Sequence, residues 1–274
     1  AVQNDAKVPG LLSLADMKSY EVKLREPVCG QFKSYTACGP AMPSSGGLTV
    51  LNILGVLEAQ NLAQWAPDSV EFTHLFAEAN KLAFADRNRY MGDSDFIDVP
   101  VAGLLNPDYW QARSTLVKKD ETQAKFPAGE PAANKWLSTE SPERPSTSHL
   151  NVIDAEGNAV SMTTTIESGF GSRLFVKGFL LNNQLTDFSF VPVDAQKERI
   201  ANRIQAGKRP RSSMSPFVIF DEDKNLKLLI GSPGGSQIIA YVARVIANVL
   251  GQGVALEEAV NMPHIVARNN GYLD

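Results

Sequence analysis

The sequence is poor in the residues that mark several common kinds of protein. It has three histidines, His74, His149 and His264, scattered too widely to share the spacing of a metal site. Its two cysteines, Cys29 and Cys38, are too few for a disulfide-built scaffold. They lie close together in PVCGQFKSYTAC, which leaves two readings: one local bridge, formed in an oxidising compartment, or two partly buried thiols. Nowhere do about eighteen apolar residues run together, so no segment reads as a membrane-spanning helix. The first twenty residues lack a basic stretch followed by an apolar one, and position 1 is Ala rather than Met. That start reads as neither a signal peptide nor a natural beginning, and the chain is expected to be a processed or partial piece. There is no G-x-x-x-x-G-K-[ST] loop, no G-x-G-x-x-G and no G-x-S-x-G elbow, so nucleotide loops and the usual Ser-His-Asp arrangement find no support. Positive charge is not in excess either. The 26 Lys and Arg against 30 Asp and Glu leave a net charge of −4, so nucleic acid and anionic membranes are not expected partners.

What is present is an ordinary globular composition, 43% hydrophobic and 20% charged over 274 residues, enough for a sizeable core. LSLADMKSY predicts a short helix with a capping box from Ser13 to Asp16. REPVCGQFKSYTACG predicts two strands, with turn residues at Gly30 and Gly39. LTVLNILGVLEAQNL has helical spacing, and DSVEFTHLFAEANKLAFADRNRYMG predicts an amphipathic helix capped by Asp68 or Ser69 and ended by Gly92. A further helix is expected from Asn106 to Leu116 with Pro107 at its first position. The stretch KKDETQAKFPAGEPAANKWLSTESPERPSTS is polar, Pro-rich and without periodicity, and reads as exposed and mobile. Beyond it come consecutive antiparallel strands: HLNVIDAEGNAVSMTTTI turning at AEGN, LFVKGFLLNN, and MSPFVIFDEDKNLKLLIGSP turning at DEDKN. A Gly-rich turn then opens a long helix, and LEEAVNMP forms a last one stopped by Pro263. Helices, then strands, then helices suggest layers built on a largely antiparallel sheet rather than βαβ units.

Four polar features stand out, each with a bland reading. Thr147 sits at the entry to the first downstream strand, where Thr is common for β-propensity and capping. In TTTIESGFG, Thr163, Thr165 and Glu167 alternate onto one strand face, which solvent alone would explain. In LLNNQLTDFS, the residues Asn182, Asn183, Gln184 and Asp187 suit an ordinary turn. In RPRSSMSP and GSPGGS, Ser212, Ser213, Gly234 and Gly235 fall at the ends of adjacent strands. The glycine pair at a helix start could offer N–H groups to an anion or an oxyanion.

Together the four are far more specific. TSHLNVIDAEGNAVSMTTTIESGFGS, GFLLNNQLTDFS, GKRPRSSMSP and GSPGGSQII, in that order, closely resemble the γ-glutamyltranspeptidase family of N-terminal-nucleophile hydrolases. MPSSGGLTVLNIL and EANKLAFADRNRYMGD resemble its large-subunit region, so the likeness covers nearly the whole chain. It implies an α+β fold, a four-layer αββα sandwich. It also implies a precursor that cuts itself between Ser146 and Thr147. Residues 1–146 would then belong to a large subunit and 147–274 to a small one, paired as one structural domain.

The resemblance also implies roles. Thr147 would be the nucleophile, and its new α-amino group, with an ordinary pKa of about 8, the base that an internal amide nitrogen cannot be. Thr165 would tune it, and Gly234 and Gly235 would form the oxyanion hole. Ser212 and Ser213 would hold a substrate α-carboxylate, with Glu167, Gln184 and Asp187 near the α-amino group. Glu167 stands where the best-known members carry Asn, and 188–211 lacks the Tyr of some members' lids, which would favour hydrolysis over transfer. The family's carboxylate-gripping Arg would lie upstream of position 1. The implied substrates are γ-glutamyl amides such as glutathione, with water or an amine as acceptor, no metal or organic cofactor, and a periplasmic or secreted location. A glutaryl- or cephalosporin-type acylase is the nearest alternative, and a truncated, non-catalytic homologue is another.

Overall fold

The computed structural model describes residues 1–7, 9–131, 146–193, 197 and 199–274. Helix α1 (Leu14–Ser19) has the expected capping box, Ser13 accepting from the Asp16 N–H and Asp16 from the Ser13 N–H. Strands β1 (Val28–Phe32) and β2 (Tyr35–Gly39) pair as an antiparallel hairpin that places Cys29 opposite Cys38, and the two are bridged by a disulfide. The turn is at Lys33 and Ser34, with Lys33 at φ 54°; Gly30 and Gly39 are strand residues, contrary to the expectation that they make the turns. They are Gly for another reason. A Cβ on Gly30 would press on Leu51, and one on Gly39 would lie 2.8 Å from the Cα of Gly47, because helix α2 (Gly46–Ala59) crosses directly over this hairpin.

Helix α3 (Val70–Tyr90) begins at Ser69, whose hydroxyl accepts from the Phe72 N–H. It is not the half-exposed helix expected, since sixteen of its twenty-one residues are buried. Its apolar side packs on α2. Its polar side is covered by the segment 118–131, which follows α4 (Val101–Leu104) and α5 (Pro107–Ser114). Buried Glu78 accepts from Lys81, Thr122 and the Gln123 N–H. Asp86 accepts from Tyr109 and the Gly129 N–H, 2.8 Å each, and its burial raises its carboxyl pKa against the pull of Arg113. Phe126 enters the core, and its backbone N–H and C=O are both taken by the Asn269 amide. The polar stretch beginning at Lys118 is exposed over most of its length as far as residue 131, as expected, but is anchored at Thr122, Gln123 and Phe126. A few of its polar groups, the Thr122 hydroxyl and the Gln123 and Gly129 N–H groups, satisfy buried carboxylates on α3. Residues 132–145 of that stretch lie outside the described residues.

Strands β3 (Thr147–Ile153) and β4 (Ala159–Thr165) form a seven-pair hairpin. Short β5 (Phe175–Val176) and β6 (Phe179–Leu180) turn at Lys177 and Gly178. Strands β7 (Phe217–Phe220) and β8 (Leu226–Ile230) complete a four-stranded antiparallel sheet of order β1-β2-β7-β8. Two of the turns share one device: Asp154 and Asp221 each accept from the N–H of an Asn four residues on, closing the β3–β4 and β7–β8 loops. The sheet's inner face, with Phe32, Ala37, Phe217, Ile219 and Ile230, joins α2, α3 and α6 (Ile238–Ile246) in one core. The β3–β4 hairpin meets the edge of that sheet, where Asn151 and Ser161 donate to the carbonyls of Leu229 and Ile230. The long helix expected after Gly235 is three pieces: a 3-10 turn, α6 and a π-helical end at Ala247–Gly251, followed by α7 (Leu256–Asn261). Among the described residues no helix is long and apolar enough to cross a membrane.

Candidate active site

The site is assembled by strand ends and turns. Thr147 is the first residue of β3 and pairs with Thr165, the last of β4. Beyond Thr165 the strand stops, and Glu167 adopts a left-handed backbone, φ 73°. That turn buries Glu167, 4% exposed, instead of leaving it on a solvent-facing strand. Its carboxylate accepts from Ser168 Oγ at 2.6 Å and Asn183 Nδ2 at 2.7 Å. Asn183, readable as a mere turn residue, thus fixes a buried charge. Gln184–Asp187 is a single 3-10 turn, and the Gln184 amide donates to the equally buried Asp187 carboxylate.

Thr147, Thr165, Glu167, Gln184, Asp187, Ser212, Ser213 and Gly235 line one small cleft, with Met214 and Ile238. Of the residues singled out from the sequence, Gly234 and Ser146 lie beside the cleft rather than on its wall. Gly234 (φ 135°) and Gly235 (φ 59°) both hold conformations that L side chains disfavour, and they lead into the turn that opens α6. Ser146, still joined to Thr147, donates from its hydroxyl to the Glu167 carbonyl, and its own carbonyl accepts from Thr165 Oγ1 at 3.4 Å.

The serine pair is set by residues far away in the chain. Ser212 is bridged to the residues before α2: its N–H donates to Pro43 O, and its carbonyl accepts from both the N–H (2.8 Å) and the hydroxyl (2.7 Å) of Ser45. Arg87, buried on α3, donates to Ser45 Oγ at 2.8 Å and Ser213 Oγ at 2.6 Å. Ser212 Oγ accepts from the Met214 N–H at 3.1 Å, which turns its hydroxyl hydrogen to other partners. Asn202 ties the remaining wall together, donating to Asp187 O at 2.7 Å and accepting from the Arg211 N–H at 2.9 Å.

Ser45, Arg87 and Asn202 were missed in the sequence, and Asn183 was singled out there only as a turn residue. For Arg87 a signal exists: it stands four residues after Ala83 and three before Tyr90, on the buried stripe of α3, where a charge needs a buried partner. The cleft therefore offers two buried carboxylates, two serine hydroxyls, a hydroxyl at a strand start and a glycine-led turn. Such a set suits a ligand carrying both an ammonium and a carboxylate, with an acyl carbon beside Thr147.

Known proteins resemble this chain in sequence and in fold. The sequence matches the family described as Gamma-glutamyltranspeptidase over residues 1–272. It is 38% identical over 266 residues to the glutathione hydrolase proenzyme of Bacillus subtilis (strain 168), covering 93% of this chain and 44% of that protein. It is 37% identical over 267 residues to the glutathione hydrolase proenzyme of Escherichia coli (strain K12), covering 95% of this chain and 45% of that one. The chain thus spans less than half the length of these relatives. In fold it is similar to the cephalosporin acylase from Bacillus halodurans, with a TM-score of 0.75 and 24% identity over 93% of this chain and 43% of that structure. Helices with antiparallel sheets make the fold α+β, as the sequence implied. On a match that runs almost from end to end, the chain belongs to the γ-glutamyltranspeptidase family.

Proposed function

We propose that this chain is the catalytic part of a self-processing γ-glutamyl hydrolase/transferase whose nucleophile is Thr147. The observation that carries this reading is the single cleft holding Thr147 together with Thr165, Glu167, Gln184, Asp187, Ser212, Ser213 and Gly235. Scission of Ser146–Thr147 frees the Thr147 amine, which takes the proton of its own Oγ as that oxygen attacks the γ-amide carbonyl. The N–H groups at Gly234 and Gly235 receive the oxyanion. The amide nitrogen leaves with the proton, and a γ-glutamyl–Thr147 ester remains for water or an amine to resolve. Asp187 and Glu167 meet the substrate ammonium, and Ser212 and Ser213 its α-carboxylate.

Residues 1–146 and 147–274 are the large- and small-subunit portions of this scheme. They remain one body after the cut because the sheet spans both, β2 of the first pairing with β7 of the second. The Cys29–Cys38 disulfide supports a periplasmic or secreted location, where such bonds persist.

The test compares two anilides, γ-glutamyl and glutaryl, which differ only in the α-amino group. The γ-glutamyl compound should turn over faster. Asp187→Ala should cut its kcat/KM by about a hundredfold or more, the cost of an unpaired ammonium contact, and change glutaryl turnover far less. Equal turnover of both, with Asp187→Ala affecting them alike, would instead support the acylase reading.

A further inference from the structure

We propose that Ser146 is a positioning residue for self-cleavage, clamped at its hydroxyl and at its carbonyl by the turn that links Thr165 to Glu167. The inference rests on the reading of Thr147 as a self-released nucleophile and deepens it.

The clamp is a closed ring of three hydrogen bonds. The Ser146 hydroxyl donates to the carbonyl of Glu167. The Glu167 N–H donates to Thr165 Oγ1 at 2.9 Å. Thr165 Oγ1 in turn donates to the Ser146 carbonyl at 3.4 Å. A carbonyl oxygen can only accept, so the single Thr165 hydroxyl hydrogen is the one given to Ser146 in that last bond. The left-handed backbone of Glu167, φ 73°, lets one residue offer its N–H to Thr165 and its C=O to Ser146. The conformation is itself held by the Glu167 carboxylate, anchored on Ser168 and Asn183.

The carbonyl so held is that of the bond to be cut. As Thr147 Oγ attacks the Ser146 carbon, the Oγ–C bond forms and the carbonyl oxygen gains negative charge. The Thr165 hydroxyl is aimed at that oxygen, and a contact of 3.4 Å can tighten as the charge grows. The C–N bond then breaks, and the Oγ proton passes to the departing nitrogen, which becomes the Thr147 amine. Water hydrolyses the ester, leaving a carboxyl group on Ser146 and restoring the Thr147 hydroxyl. After the cut Ser146 is the free C-terminus of residues 1–146, no longer joined to Thr147, so its hydroxyl serves maturation and not turnover.

That separation gives the test. The full chain and its Ser146→Ala and Ser146→Thr variants are followed by mass spectrometry for the fragment beginning at Thr147. The matured protein from each is then assayed with a γ-glutamyl anilide, per mole of free N-terminal Thr. Loss of the clamping hydroxyl in Ser146→Ala should slow maturation by about five- to tenfold, the worth of one hydrogen bond. Ser146→Thr, which keeps the hydroxyl, should mature within about twofold of the parent chain, and all three should share the same kcat and KM once matured. Maturation of Ser146→Ala at the parent rate, or of Ser146→Thr as slowly as Ser146→Ala, would overturn the clamp while leaving the Thr147 reading intact. A parent chain that never yields the Thr147 fragment would overturn that reading and the clamp with it.

Discussion

The core around α2, α3 and α6 and the wall of the cleft are held by different physics. In the core, Ile53, Leu54, Phe72, Phe76, Ile239 and Ile246 are fully or almost fully buried, and their attraction is non-directional. In the cleft wall, segments far apart in the chain are joined by a few aimed hydrogen bonds: Ser45 to Ser212, Arg87 to Ser213, Asn202 to both Asp187 and Arg211. The difference separates two kinds of damage. Core substitutions should change how much protein is folded, whereas wall substitutions should change what the folded protein binds. Arg87 connects the two, because its stem lies in the core helix and its guanidinium in the wall.

The largest effect should come from the core. Phe76→Ala removes a fully buried ring and should cost about 3–5 kcal/mol of stability, read from denaturant unfolding. Activity per folded molecule should stay unchanged; a loss of activity without a loss of stability would break the distinction. Next comes the wall. Arg87→Lys keeps the charge but loses the fork that spans Ser45 and Ser213, and should raise KM for a γ-glutamyl anilide by about tenfold with kcat within about threefold. A fall in kcat alone would mean that Arg87 serves the chemistry rather than the serine pair.

A third effect is one of pH. Burial, aided by Arg203, lowers the Lys208 ammonium to about 8 while its Nζ donates to Ala201 O. In the unfolded chain the proton is kept to about 10.4, so between these values the unfolded state binds more protons and stability rises with pH. Below about 8 both states are protonated and the contribution is flat. Denaturant midpoints should therefore increase from about pH 8 to about pH 10 in the parent chain and lose that component in Lys208→Met. An identical slope in both would remove Lys208 as its source.

The two regions also differed in how far the sequence revealed them. Helix starts were local matters. Ser13 with Asp16, the pair Asp68 and Ser69, and Pro107 at a first helical position each announced a helix start, and the caps there are Ser13, Ser69 and Asn106. The β3–β4 and β7–β8 hairpins were equally readable, because Asp and Asn four apart close their turns. The anchoring of 118–131 was not readable, since a few of its polar groups meet Glu78 and Asp86 on a helix that pattern alone makes look half exposed. For the cleft, periodicity gave nothing, and resemblance supplied the positions. What neither supplied was the support behind them: Arg87 and Ser213 are 126 residues apart, and only folding makes them neighbours.

Every role given to the cleft depends on Thr147 acquiring its free amine by the chain cutting itself. The decisive comparison is the intact mass of the purified protein beside that of its Thr147→Ala variant. The parent should give two fragments, the downstream one beginning at Thr147, and the variant a single uncut chain. A parent chain that stays whole, or a variant cut at the same bond, would contradict self-cleavage by Thr147.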